Sequence, residues 1–159
     1  MKTTEKPTLQ DFHIEGVKHI NPIDAFEALK NGEAIMIDVR EINEVKLESV
    51  PLDHVLNHPM SVIMDRLPYI AKDQNIIVAC PGGVRSTKIA DLLKQHGYNQ
   101  VASLDGGLMT WKAKGLPYEI NFKGGGGYIA GNNKNVGALA TAPIKNNLKN
   151  IDFKNLRRI

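Results

Sequence analysis

The only cysteine of the 159-residue chain, Cys80, opens the segment Cys80-Pro81-Gly82-Gly83-Val84-Arg85-Ser86. Its thiolate form is a nucleophile and a metal ligand. With no second cysteine, an intramolecular disulfide and a cysteine-rich zinc site are both excluded. The loop's composition suits a cradle for an anion. Gly82 and Gly83 can adopt the positive φ of a tight curl, Arg85 brings a positive charge, and Ser86 is of the type that caps a helix. Successive amides in such a curl point inward and form an anion-binding nest. A thiol at its mouth, beside a guanidinium and a helix N-terminus, belongs to the class that ionises more readily than free cysteine. The competing reading is a small buried hydrophobe at a strand end, with no chemistry.

The neighbouring elements decide where the loop sits. Before it, Asn75 to Ala79 (NIIVA) is a β-branched apolar run, and Ala34 to Val39 (AIMIDV) is another. Strands of this kind are buried on both faces, as in parallel sheets. After it, Ser86 to His96 reads as an amphipathic helix with Ile89, Ala90, Leu92 and Leu93 on its buried side and Gly97 as terminator. Ligands of open α/β sheets bind at the carboxyl ends of strands, next to helix N-termini. A helix from Asn21-Pro22 to Asn31-Gly32, a strand near His54 to Leu56, a helix from Ser61 to about Leu67, a strand at Val101 to Leu104 and a short helix carrying Trp111 complete the alternation. The pattern predicts an α/β domain with a central, mostly parallel sheet flanked by helices.

In order and spacing these motifs resemble the rhodanese family of single-domain sulfurtransferases, which carry sulfur as a cysteine persulfide. The loop is similar to the family's C-x-x-G-x-R-S. Ile37-Asp38-Val39-Arg40-Glu41 resembles its D-V-R-E strand end, Leu104-Asp105-Gly106-Gly107 with Trp111 its L-x-G-G-x-x-x-W turn, and Gly115-Leu116-Pro117 its closing G-L-P. The resemblance assigns residues 15–120 to a rhodanese-like domain and leaves 121–159 as a basic extension. Two departures stand out. Leu47 to His58 replaces the usual G-H-I-P-G-A type segment, and Pro81 removes one amide donor from the cradle.

The resemblance implies a nucleophilic mechanism without a cofactor or metal. Cys80 is the catalytic residue and takes the outer sulfur of a small anionic donor such as thiosulfate. Gly82, Gly83, Val84, Arg85 and Ser86 bind the substrate: their amides surround the persulfide, and Arg85 attracts the donor. The acceptor comes from outside the chain, as cyanide, a small thiol or a protein thiol. Asp38 and Arg40 are implied to be an ion pair bracing the loop. Cysteine phosphatases of similar fold carry C-x-x-x-x-x-R, whereas here four residues separate Cys80 from Arg85. The shorter cradle fits one sulfur and not a phosphate. An inactive binding or regulatory module of the same fold is the alternative, although such modules typically lose the cysteine or the loop glycines.

Other residue groups suggest no further chemistry. His54 and His58 lie four apart in a segment reading as strand or loop, so no metal site is predicted. His13, His19 and His96 read as surface or boundary residues. Glu41 and Glu44 read as a solvated helix face, and Trp111 and Leu108 as core. Gly106-Gly107 lacks the spacing of a nucleotide fingerprint.

Hydrophobic residues at 42% and charged residues at 23% exclude collagen-like, coiled-coil and wholly disordered chains. No apolar run reaches the ~20 residues of a membrane span, and the first dozen residues lack the apolar core of a secretory signal. The expectation is a cytoplasmic protein without membrane partners. The net charge of +3 is uneven: residues 1–120 carry 13 Lys and Arg against 16 Asp and Glu, and residues 121–159 carry seven against one. From Gly124 the chain is rich in Gly, Asn and Lys. It reads as a solvated arm, an arm wrapped on the acidic domain, or a patch for an anionic partner. With only Phe122, Tyr128 and Phe153 as aromatics, a nucleic-acid platform is not expected.

Overall fold

The structure is a computed structural model that describes residues 1–121, so the basic extension lies outside the described residues except for Asn121. The elements in chain order are β1 (Lys18–Ile20), α1 (Pro22–Lys30), β2 (Ala34–Asp38), α2 (Ile42–Leu47), β3 (Glu48–Ser49), β4 (Val55–Asn57), α3 (Ile63–Arg66), β5 (Asn75–Ala79), α4 (Val84–Gln95), β6 (Val101–Leu104), α5 (Gly107–Ala113) and β7 (Glu119–Ile120). Single turns of 3-10 helix flank α3. Five strands form one sheet in the order β1-β6-β5-β2-β4, with every pairing parallel. Strands β3 and β7 make a separate antiparallel pair. The architecture is therefore the mostly parallel, helix-flanked α/β sheet that the alternating pattern predicts.

The alternation of side chains along the strands explains the two cores. From β5, Ile77 and Ala79 join Met36, Leu104, Leu108 and Trp111 beneath α1 and α5. The intervening Ile76 and Val78 join Ile37, Ile89, Leu93, Tyr98 and Cys80 beneath α4. Burial on both faces is why the strands read as continuous apolar runs. Trp111 is fully buried, its indole N–H donates to the carbonyl of Pro117 at 2.8 Å, and Phe26 meets it edge-on at 6.1 Å.

Two boundaries differ from the sequence expectation for local reasons. Helix α4 starts at Val84, not Ser86, because Gly83 takes the left-handed conformation (φ 98°) and begins the helix without a side-chain cap. Strand β4 starts at Val55, one residue late, because His54 is itself left-handed (φ 66°). The region predicted as one helix from Ser61 is instead α3 with its two flanking turns.

The chain before residue 15 packs onto the domain. Thr4 exchanges backbone hydrogen bonds with His19. The Asp105 carboxylate accepts the amides of Thr8 and Leu9 at 2.8 and 2.9 Å.

Candidate active site

Cys80 follows the last residue of β5 and is 1% exposed. Its Sγ accepts the amide N–H of Gly83 at 3.1 Å and that of Ser86 at 3.2 Å, and lies 3.3 Å from Ser86 Oγ. The loop curls as the composition predicts, so that two amides converge on the sulfur. Ser86 has a different place from the one expected. It lies inside the first turn of α4, fully buried, with its hydroxyl shared between the sulfur and Ser103 Oγ at 2.8 Å. A serine here gives the sulfur both an amide and a hydroxyl contact.

The loop's carbonyls are drawn away from the sulfur. Leu108 N–H donates to the Cys80 carbonyl at 2.8 Å and Met109 N–H to that of Pro81 at 2.9 Å, so the first turn of α5 satisfies both. Gly107 permits this approach: its φ is +69°, and a Cβ there would collide with the Pro81 carbonyl oxygen. The donor lost at Pro81 is not one of the two that reach Sγ. The amides of Val84 and Arg85, first-turn positions of α4, have no carbonyl partner within the helix.

Gln10 clips the loop from the other side. Its side chain accepts from Gly106 N–H at 2.8 Å and donates to Thr87 Oγ1 at 3.2 Å, reaching the Gly83 carbonyl at 3.4 Å. Nothing in the local sequence around Gln10 signals this role.

Arg85 departs most from expectation. Its guanidinium donates to both carboxylate oxygens of Glu44, at 2.8 and 2.9 Å. That hydrogen-bonded guanidinium holds the Glu44 carboxyl down at about 2, and Glu44 Oε2 also accepts the Glu41 amide at 2.9 Å. The Arg85 guanidinium is thus paired with a carboxylate beside the loop, with both side chains about a third exposed. Glu44 and Glu41 are correspondingly not a merely solvated face. Glu41 accepts from the Ser61 hydroxyl at 2.6 Å.

Asp38 and Arg40 form the ion pair that the resemblance implies, with Arg40 Nη2 2.7 Å from Asp38 Oδ2 and both side chains buried. Its reach is different from the one expected. Arg40 Nη2 also donates to the Glu48 carbonyl at 2.8 Å, and Asn57 donates to the carbonyls of Asp38 and Arg40. The pair braces β2 against β3 and β4, with no hydrogen bond to the cysteine loop. Beside the loop lies a groove of about 370 Å³ lined by Arg40, Glu44, Leu47, Glu48, Pro81, Leu108, Met109, Lys112 and Tyr118.

Two of the histidines, His19 and His58, are buried, whereas His96 is exposed and His13 is half-buried, as the sequence reading has them. His19 is fully buried with Nε2 3.0 Å from His13 Nδ1, and burial pushes its pKa down. His58 is 1% exposed, and its Nδ1 lies 3.0 Å from Arg66 Nη1. Burial and then the Arg66 charge lower its pKa to about 4, so the ring is neutral near pH 7 and Nδ1 accepts from the guanidinium.

A parallel α/β sheet with a cysteine cradled at the carboxyl end of its central strand defines a class, and comparison with known proteins gives the family. The profile of the rhodanese-like domain matches residues 4–114, and the chain belongs to that family. It is 31% identical over 110 residues to a thiosulfate sulfurtransferase GlpE of Glaesserella parasuis, covering 68% of this chain and 98% of the relative. A sulfurtransferase of Allochromatium vinosum is 33% identical over 85 residues, covering 54% and 78% of the two chains. Among solved structures, a rhodanese-related protein from Thermoplasma volcanium superimposes with a TM-score of 0.58 at 27% identity, covering 65% of this chain and 98% of that one.

Proposed function

We propose that this protein is a sulfurtransferase that carries sulfane sulfur as a persulfide on Cys80. The observation that carries the reading is the convergence of the Gly83 and Ser86 amides on Sγ at the N-terminus of α4. Relatives named thiosulfate sulfurtransferase support it. The Cys80 thiolate attacks the outer sulfur of thiosulfate or a related donor. The bond from that sulfur to the sulfonate breaks, and sulfite leaves with the bonding electrons. An acceptor thiolate or cyanide then attacks the outer sulfur of the persulfide, and Cys80 departs as thiolate. Preorganised amides stabilise negative charge on sulfur in both steps, at no cost in reorganisation.

Catalysis rests on Cys80, with Gly82, Gly83, Val84, Arg85 and Ser86 forming the binding cradle through their backbone. The Arg85 side chain serves mainly to hold Glu44 and α2 beside the loop. No described helix is long and apolar enough to cross a membrane.

Mass spectrometry after incubation with thiosulfate should show one added sulfur on Cys80, absent in Cys80→Ser. If no sulfane donor adds sulfur while the thiol stays reduced, the protein is a binding module and the reading is wrong.

A further inference from the structure

The groove beside Cys80 is neutral in an unusual way. Both cations that line it are matched by a carboxylate, Arg40 by Asp38 at 2.7 Å and Lys112 by Glu48 at 3.5 Å, and the lining Glu44 is itself paired with Arg85 at 2.8 Å. Tyr118 is buried and its phenol is pushed further up by burial, so it adds no charge. Between these pairs the surface is apolar. Leu47 and Met109 are 59% and 67% exposed, and Pro81 and Leu108 form part of the same lining. The Pro81 and Leu108 backbones flank the cysteine loop itself.

A doubly charged oxyanion entering this groove meets no uncompensated side-chain cation among the described residues. It does meet the Glu44 and Glu48 carboxylates. An organic sulfur compound with one negative charge and an apolar body meets less repulsion and can cover Leu47, Met109 and Leu108. The volume of about 370 Å³ lies in the range of small-ligand pockets.

We infer that the groove is the binding site for the apolar body of a singly charged organic sulfane-sulfur donor, and that Glu44 is a specificity residue disfavouring dianions. The inference rests on the proposed sulfurtransferase reading and adds the substrate class. The transfer step balances as before: the Cys80 thiolate takes the terminal sulfur of an organic thiosulfonate, the sulfur–sulfur bond breaks, and an organic sulfinate leaves with its electron pair.

The test compares thiosulfate, methanethiosulfonate and benzenethiosulfonate on the full chain. Initial rates of Cys80 persulfide formation are corrected for each donor's reactivity with a free thiol. Benzenethiosulfonate should give the highest corrected kcat/KM and thiosulfate the lowest. Glu44→Gln keeps an acceptor for the Glu41 amide and removes the charge. It should raise kcat/KM for thiosulfate roughly three- to fivefold more than for either thiosulfonate, and the difference should shrink with added salt. Met109→Ser, at an exposed position of the groove, should raise KM for benzenethiosulfonate roughly fivefold and for the smaller donors by less. If donors load Cys80 but thiosulfate leads, or Glu44→Gln shifts both charge classes equally, the inference falls and the sulfurtransferase reading stands. If no donor loads Cys80, both fall together.

Discussion

Asp38→Asn leaves the Arg40 guanidinium buried without a counter-charge. In the wild type Arg40 Nε lies 3.0 Å from Asp38 Oδ1 and Nη2 lies 2.7 Å from Oδ2, a fork that satisfies both carboxylate oxygens. The two residues are 2% and 4% exposed, so water replaces little of what is lost. Removing one partner of a buried pair costs about 3–5 kcal/mol. Asparagine can still accept one N–H, which puts the expected loss near 3 kcal/mol. That is a large part of the ~5–15 kcal/mol of a typical domain, and corresponds to a fall in Tm of roughly 10 °C. Urea unfolding followed by fluorescence of the single, buried Trp111 reads the change as a lower midpoint at constant slope. The double variant Asp38→Leu, Arg40→Met removes both charges and should recover most of the loss, because the penalty belongs to the uncompensated charge. A loss below about 1 kcal/mol in Asp38→Asn, or a double variant no better than the single, would refute the reasoning.

The His58 imidazole has a folded pKa of about 4 against an ordinary 6.5. The unfolded chain therefore binds a proton first, and stability should fall as pH drops from about 6.5 to 4, by roughly 3 kcal/mol, with no further loss from this group below that. His19, also depressed, adds in the same direction. His58→Gln should flatten the wild-type pH dependence of the urea midpoint, and an unchanged slope would assign the acid sensitivity elsewhere. Gly107→Ala places a methyl group against the Pro81 backbone, whereas at Gly83 the Cβ meets only the flexible end of Gln10. Thermal unfolding should show Gly107→Ala as the more damaging, by about 2–4 kcal/mol in total, and the reverse order would mean that the two loops do not depend on their close approach.

The cysteine loop was legible because everything that shapes it is local. The apolar run of β5, the glycines and the helical period of α4 fall within about twenty consecutive residues, and each names its own conformation. The D-V-R-E stretch was legible for the same reason, since Asp38 and Arg40 are two apart and on one strand end. Long-range partners left no such mark. Glu44 and Arg85 are 41 positions apart, and Gln10 and Gly106 are 96 apart. A glutamate on a short helix looks solvated until the fold brings a guanidinium to it. Ser86 reads as the cap because side-chain caps are the common device. Gly83 performs it through a left-handed backbone instead, freeing the serine hydroxyl for the sulfur. The groove combines Leu47, Met109 and Tyr118 from separate elements, and no linear pattern announces it.

The clip made by the first dozen residues has a bearing on synthesis at the ribosome. Thr8 and Leu9 bind Asp105, Gln10 binds Gly106, and β1 pairs only with β6. Apart from the local pairing of Thr4 with His19, this segment thus lacks its partners until nearly a hundred further residues have been made. At ~5–20 residues per second that interval is roughly 5–20 s. During it β2, β4 and β5 can associate while the edge of the nascent sheet and one flank of the cysteine loop stay open. The nucleophile's surroundings are consequently among the last parts of the described domain to close, and the thiol is most exposed to passing oxidants while the chain is still being translated.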